Sequence, residues 1–260
     1  YSIFYGLDLI NKLYVDEAPP PAIYTLLEDT DAVVRYEMIN RIRSNNMPSA
    51  LPFLIARLPN EPEPEIQRKL IELIANFDLN VALKACENNP NALFTPIIKN
   101  LHLIYNSNNP KEPLQRLIEF SQHSNPVLRK MVASLIGVYQ IHSLSKCLKD
   151  LIADKDNGVS DEALRSAALM GDSSLIPDII TSLLNNKKNI TPQLALRAIG
   201  QPALPYLSKI THIRHSKLII KLIAAIPGQD AEEALIKIAQ QGTMYHRSLV
   251  AKYANNRACK

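Results

Sequence analysis

The sequence predicts an all-α protein built as a series of short helices, and three observations support this. Apolar residues recur at helical spacing along most of the chain, and residues 127–136 form one broad stripe of this kind. Strict alternation of apolar and polar residues is rare, so strands are not predicted. The 260 residues include 18 Pro but only 7 Gly, which is typical of a chain that begins helices often and needs few residues at positive φ.

Composition and cysteine content narrow the class of protein. Apolar residues make up 47% of the chain and charged residues 21%, as in a folded globular protein. No apolar run approaches the roughly 18 residues that a membrane-spanning helix needs. Cys86, Cys147 and Cys259 are isolated and form no metal-ligand pattern, so we expect reduced thiols, a cytoplasmic location and no cofactor. The chain begins at Tyr1 in helical-looking sequence, which indicates a segment of a longer protein.

Helix starts are well marked. Asn89-Pro90, Asn125-Pro126 and Thr191-Pro192 each place a capping side chain before a Pro, which we expect at the first helical position. The segment from Asp230 to Glu233 has the spacing of a capping box. The helices delimited in this way have about 10 to 15 residues and are marginal alone, so they need neighbours to pack against.

One phrase recurs along the chain: a polar turn, a short apolar stretch, an arginine, and then an apolar helix. The phrase appears with Arg35, Arg68, Arg129, Arg165 and Arg197. Intervals between these arginines are 33, 61, 36 and 32 residues, and we interpret the longest as two repeats.

These repeats resemble the HEAT family, whose familiar signature Asp-x-x-Val-Arg opens the second helix of each pair. Asp31-Ala-Val-Val-Arg35 fits it closely, and residues 164–177 fit its short bacterial form. The resemblance implies a single domain over residues 1–260, a right-handed α-solenoid of about seven to eight antiparallel helix pairs. The second helices would line its concave side.

The recurring arginines are expected to form a structural ladder. The resemblance implies that Arg35, Arg68, Arg129, Arg165 and Arg197 bond turn carboxylates and carbonyls between neighbouring repeats. Binding of a ligand by these side chains is the alternative.

Charge is distributed unevenly along the chain. Residues 1–96 contain 13 acidic and 8 basic side chains, whereas residues 97–260 contain 12 acidic and 21 basic ones. We expect the concave face and the basic C-terminal end to bind a partner, the latter through Arg214, Lys217, Lys221, Arg247, Lys252 and Arg257. The predicted partner is an acidic protein surface or peptide, and an ordinary solvated face or an anionic membrane surface are the alternatives.

No sequence motif indicates catalysis. The chain has no nucleophile elbow, phosphate loop, dinucleotide fingerprint or HExxH motif, so we predict a protein-binding scaffold and no enzyme. His212 and His215 are three apart but lack an evident third metal ligand. A nucleic-acid binder similar to the HEAT-like DNA glycosylases is the weaker alternative, because the chain has no Trp to stack on bases. A third possibility is the cytosolic part of a transporter-like membrane protein, and any membrane contact would then come from outside this segment.

Overall fold

The computed structural model describes residues 20–89, 92–185, 189–210 and 213–258, and these residues are helical with no strand. The all-α prediction is therefore confirmed for this part of the chain. None of the helices in these ranges is long and apolar enough to cross a bilayer. By contacts the chain divides into two compact units, unit 1 (Tyr1–Leu117) and unit 2 (Ile118–Lys260). The single domain expected from the resemblance stays a prediction.

Unit 1 opens with a 3-10 helix, Pro21–Glu28. Its α-helices are α1 (Ala32–Ser44), α2 (Leu51–Arg57), α3 (Pro64–Phe77), α4 (Leu79–Glu87), α5 (Thr95–Asn106) and most of α6 (Lys111–Ser121). The 3-10 helix contacts α1 and α2, and α1 and α2 both contact α3. Each element thus packs against elements close to it in the chain, which is compatible with a series of helix pairs. The core is mainly aliphatic, with Leu54, Leu70 and Ile97 fully buried.

Unit 2 continues with nine α-helices in its described ranges. They are α7 (Pro126–Val138), α8 (Ser145–Ile152), α9 (Asn157–Met170), α10 (Ile176–Asn185), α11 (Thr191–Ile199), α12 (Leu204–Leu207), α13 (Ile213–Ala225), α14 (Gln229–Gln241) and α15 (Met244–Ala258).

The helices of unit 2 form two layers. Each odd-numbered helix from α7 to α15 contacts the next odd-numbered one, and each even-numbered helix from α8 to α14 contacts the next even-numbered one. Most helices that follow each other in the chain also touch, namely α7–α8, α8–α9, α10–α11, α12–α13, α13–α14 and α14–α15. We call the even-numbered helices the first layer and the odd-numbered ones the second layer. This order is compatible with the predicted stack of helix pairs, whereas its handedness stays a prediction.

Capping side chains set several helix starts. Asp31 and Asn125 accept hydrogen bonds from the backbone N–H groups of Val33 and Val127, at 2.8 and 2.9 Å. The prediction for Asn125-Pro126 is therefore confirmed, because Pro126 is the first helical residue of α7. Pro90 lies outside the described residues, so the structure does not show the helix start predicted at Asn89-Pro90.

Two other predicted starts are wrong in detail. Helix α11 begins at Thr191 itself, and its preceding loop residue Asn189 accepts from the Thr191 N–H at 2.9 Å. Helix α14 begins at Gln229, after Gly228, so Asp230 lies inside its first turn and is no cap. In both cases the helix starts after a loop residue that the spacing of apolar residues does not identify.

Candidate functional site

Arg35 and Arg129 make the same set of contacts in units 1 and 2. Arg35 donates from Nε and Nη2 to the two carboxylate oxygens of Glu61, both at 2.8 Å, and from Nη1 to the carbonyls of Asp29 and Thr30. The side chains of Arg35 and Glu61 are almost fully buried. One guanidinium therefore ties the loop before its own helix to the loop before the next second helix.

Arg129 repeats this arrangement. Its Nε and Nη2 donate to the carboxylate of Asp154 at 2.8 Å, and its Nη1 donates to the carbonyls of His123 and Ser124 at 2.8 and 3.0 Å. Each acidic partner also accepts the N–H of the residue two positions later, Glu63 in unit 1 and Asp156 in unit 2. For these two arginines the structural ladder is observed as predicted.

The paired groups stay charged although they are buried. The hydrogen bonds to Glu61 and Asp154 raise the pKa of Arg35 and of Arg129 above the ordinary value, against the effect of desolvation. Burial alone would raise the pKa of Glu61 and of Asp154. Hydrogen bonds from arginine and backbone N–H groups outweigh it, so both pKa values lie below the ordinary range.

Arg68, Arg165 and Arg197 do not belong to this ladder. Arg68 is buried but bonds Glu65 and Glu72 of its own helix. The Arg165 side chain is 56% exposed and bonds only Glu162, three residues earlier. Arg197 is exposed, and no hydrogen bond or ion pair joins it to another described residue. The five-membered ladder is therefore wrong at these three positions.

The structural position of the ladder is the fourth residue after the cap of a second helix. Arg35 and Arg129 lie there, after Asp31 and Asn125. In α3 that position is Gln67, which donates to the carbonyl of Glu61 at 2.5 Å. Ser160 of α9 and Arg247 of α15 also occupy it, and each donates to a carbonyl eight residues earlier. Arg68 and Arg165, which the recurring sequence phrase selects, lie one and five residues after the ladder positions of α3 and α9.

The expected basic end is only partly available as a binding surface. Lys217 and Lys221 of α13 and Lys252 of α15 are exposed. Arg247 is exposed as well, but its Nε donates to the carbonyl of Ala239 at 3.2 Å. The side chains of Arg214 and Arg257 lie outside the described residues.

Lys217 and Lys221 share their surface with Arg165 and Arg197, two of the three arginines outside the ladder. Helices α9, α11 and α13 are successive second-layer helices, so neighbours cover their flanks and the side towards the first layer. Exposed residues on them fall in single stripes at helical spacing. Arg165 and Arg197 lie in the stripes of α9 and α11, as Lys217 and Lys221 do in that of α13. We call these four side chains the basic face.

Apolar groups accompany these cations, whereas carboxylates are few. Leu169 of α9 and Leu194 of α11 are 58% and 51% exposed in the same stripes. Helices α9, α11 and α13 contain only Asp161 and Glu162 as acidic residues. Asp161 accepts a hydrogen bond from Asn189, and Glu162 is buried. The face therefore presents positive charge and leucine side chains together.

A buried serine–histidine pair in unit 2 has the composition of a catalytic dyad but not its geometry. Ser216 Oγ lies 2.8 Å from His246 Nε2. The backbone N–H of Thr243, which can only donate, points at His246 Nδ1 from 3.2 Å. Neutral His246 therefore carries its proton on Nε2 and donates to Ser216, so it cannot take the proton of that hydroxyl. The bond from the Thr243 N–H to His246 Nδ1 is instead one half of a capping-box arrangement at the start of α15.

The remaining sulfur and metal candidates offer no reactive group in the described residues. Burial raises the pKa of the Cys86 thiol to about 12 and also raises that of Cys147. No group of three or more His, Cys, Asp and Glu side chains within the described ranges is placed to hold a metal ion. His212 and Cys259 lie outside those ranges.

Comparison with known proteins found no matching family model and no matching curated protein. The HEAT resemblance therefore rests on the motifs of the chain itself.

Proposed function

We propose that this chain is a non-catalytic scaffold that binds an acidic, leucine-bearing segment of a partner protein on the basic face. One observation carries this proposal. Arg165, Arg197, Lys217 and Lys221 lie on the uncovered sides of three adjacent helices, and among the described residues only Arg165 has a carboxylate partner. Unpaired cations with exposed leucines between them suit a ligand that brings both carboxylates and apolar side chains.

Membership in the HEAT family forms part of the proposal. The repeated contacts of Arg35 and Arg129 and the two-layer packing of unit 2 support it. In such a stack the second helices present one continuous binding side, which is the side on which the basic face lies. The unpaired, buried thiols of Cys86 and Cys147 support a cytoplasmic location.

Fluorescence anisotropy with a labelled peptide of about 20 residues, carrying Glu and Leu at helical spacing, tests the proposal. We expect the Arg197→Glu/Lys221→Glu variant to bind this peptide roughly tenfold more weakly than the wild type, since each reversal replaces an attraction with a repulsion. Lys146→Glu/Lys155→Glu is the matched control. It makes the same change in net charge at exposed positions outside the second-layer helices, and we expect a change of no more than about twofold.

A nucleic-acid probe separates this function from the alternative. The same titration is made with single-stranded and duplex DNA from about 50 to about 300 mM NaCl. Tighter binding of DNA than of the peptide, with a steep salt dependence, would contradict the scaffold proposal. Equal losses for the two double variants would show that net charge, and not the basic face, binds the peptide.

A further inference from the structure

A cleft in unit 2 lies between α12, α13 and α14 and encloses about 940 Å³. Helix α12 has a single turn of four residues, whereas α14, its neighbour in the first layer, has 13. Residues along the whole of α14, from Asp230 to Gln241, line the cleft. The volume falls in the range of roughly 300 to 1,000 Å³ that is usual for small-molecule sites.

The walls of this cleft are aliphatic. Leu204 of α12 and Ile219 and Ile220 of α13 are buried at its base, and Ala234 and Ile238 of α14 form a half-buried side. The polar groups at the base, Ser216 and His246, bond each other, and His246 also bonds Thr243. These polar groups are thus satisfied within the protein, so the base of the cleft suits an apolar ligand body.

Charged side chains lie along the rim. Lys209 and Lys237 are exposed on the rim, and neither forms an ion pair with a described residue. Asp230 and Glu233 also line the cleft, and Glu233, one helical turn before Lys237 in α14, accepts a hydrogen bond from Gln229 at 3.1 Å. Unit 2 contains 18 Lys and Arg against 11 Asp and Glu, so its overall field favours an anion.

We propose that the cleft binds a small amphipathic molecule with an anionic head group and an aliphatic body, of which a medium-chain fatty acid is the simplest example. The head group lies beside Lys209 and Lys237. The body lies against Leu204, Ile220 and Ile238. This site shares no residue with the basic face, so it does not depend on the proposed scaffold function.

Titration calorimetry with decanoate, 1-decanol and decyltrimethylammonium, which have the same chain length, tests the site. Decanoate is expected to bind at one saturable site, roughly tenfold more tightly than the neutral or cationic molecule. Tighter binding of decyltrimethylammonium would place the head group beside Asp230 and Glu233 and overturn the proposal. An absence of saturable decanoate binding would overturn it as well.

Two variants locate the binding. Ala234→Phe fills the cleft and is expected to abolish decanoate binding, whereas Ala251→Phe, at an exposed position on α15, is the matched control and should bind as the wild type does. Circular dichroism and thermal melting establish that both Phe variants are folded.

The Lys209→Gln/Lys237→Gln variant should bind decanoate roughly tenfold more weakly than the wild type and bind 1-decanol with unchanged affinity. Equal decanoate binding by the two Phe variants would overturn the proposal. Binding of the acidic peptide to Ala234→Phe is measured in parallel, because it tests the basic face independently of the cleft.

Discussion

Arg129 shows how a single side chain can join successive repeats. Its guanidinium hydrogen-bonds two loop carbonyls that precede it in the chain and the Asp154 carboxylate that follows it. Removing one partner of such a buried pair leaves the other charge without compensation, which costs more than the pair contributes to stability. The stability of unit 2 is therefore expected to depend on Arg129 more than on any exposed arginine.

We predict that Arg129→Met lowers the free energy of unfolding by about 3 kcal/mol, because Asp154 stays buried without its partner. Arg165→Met makes the same substitution at an exposed arginine and should change stability by less than about 0.5 kcal/mol. Urea denaturation followed by circular dichroism measures both. Similar losses in the two variants would contradict the structural role of Arg129.

The Asp154 carboxylate makes part of this stability dependent on pH. Its pKa in the folded chain lies below the ordinary value of 3.8, since hydrogen bonds outweigh burial. A carboxylate of this kind stabilises the fold above its unfolded pKa, and the stabilisation is lost as the pH falls through the folded pKa. Asp154→Asn should thus be less stable than the wild type near neutral pH, and the difference should shrink below about pH 4. A difference that is constant down to about pH 2.5 would contradict this assignment; urea midpoints across this pH range measure it.

At the scale of elements, α7 and α9 pack through a glycine contact. A Cβ added to Gly137 would lie 2.5 Å from the Cβ of Ser166 and 2.6 Å from its Cα. Backbone at that distance cannot move aside without separating the two helices. Gly158 of α9 differs, because a Cβ there would meet side-chain atoms and no backbone: the end of the flexible Lys130 side chain at 2.7 Å and Asp156 Oδ1 at 3.1 Å.

Gly137→Ala is therefore predicted to lower the free energy of unfolding by about 1 to 3 kcal/mol, although alanine favours helix. Gly158→Ala should be neutral or stabilising by up to about 1 kcal/mol, since Lys130 can rotate away. Thermal or urea unfolding of the two variants side by side provides the measurement. A Gly137→Ala variant as stable as Gly158→Ala would show that the helices separate at little cost.

Helix boundaries also show where local sequence signals fail. Thr191 and Asp230 have the side chains of good caps, yet α11 and α14 begin before those residues could act as caps. Conversely, His246 accepts the N–H of Thr243 at the start of α15, a contact that Glu or Gln usually makes in a capping box. Several nearby residues can cap a helix, and the choice among them depends on how the incoming loop is held.

At the scale of the whole molecule, the excess of basic residues in the second part of the chain forms a charged surface only where packing leaves their side chains exposed. Of the predicted partner-binding residues, Lys217 and Lys221 lie on the basic face, whereas Arg247 bonds a carbonyl of the preceding helix. Arg165 and Arg197 join that face although the repeat phrase suggested a structural role for both. A linear charge count cannot distinguish these cases, since it contains no information about neighbours.

The sequence alone determined the helical class, because this depends on local spacing and composition. It also predicted the roles of Arg35 and Arg129, where a polar cap fixes the register of the helix. Only the tertiary structure decided that Gln67 and not Arg68 holds the ladder position, and that a cleft lies between α12, α13 and α14. Register shifts of one residue turn a helical side chain by about 100°, so burial or exposure follows from packing between helices and not from the motif itself.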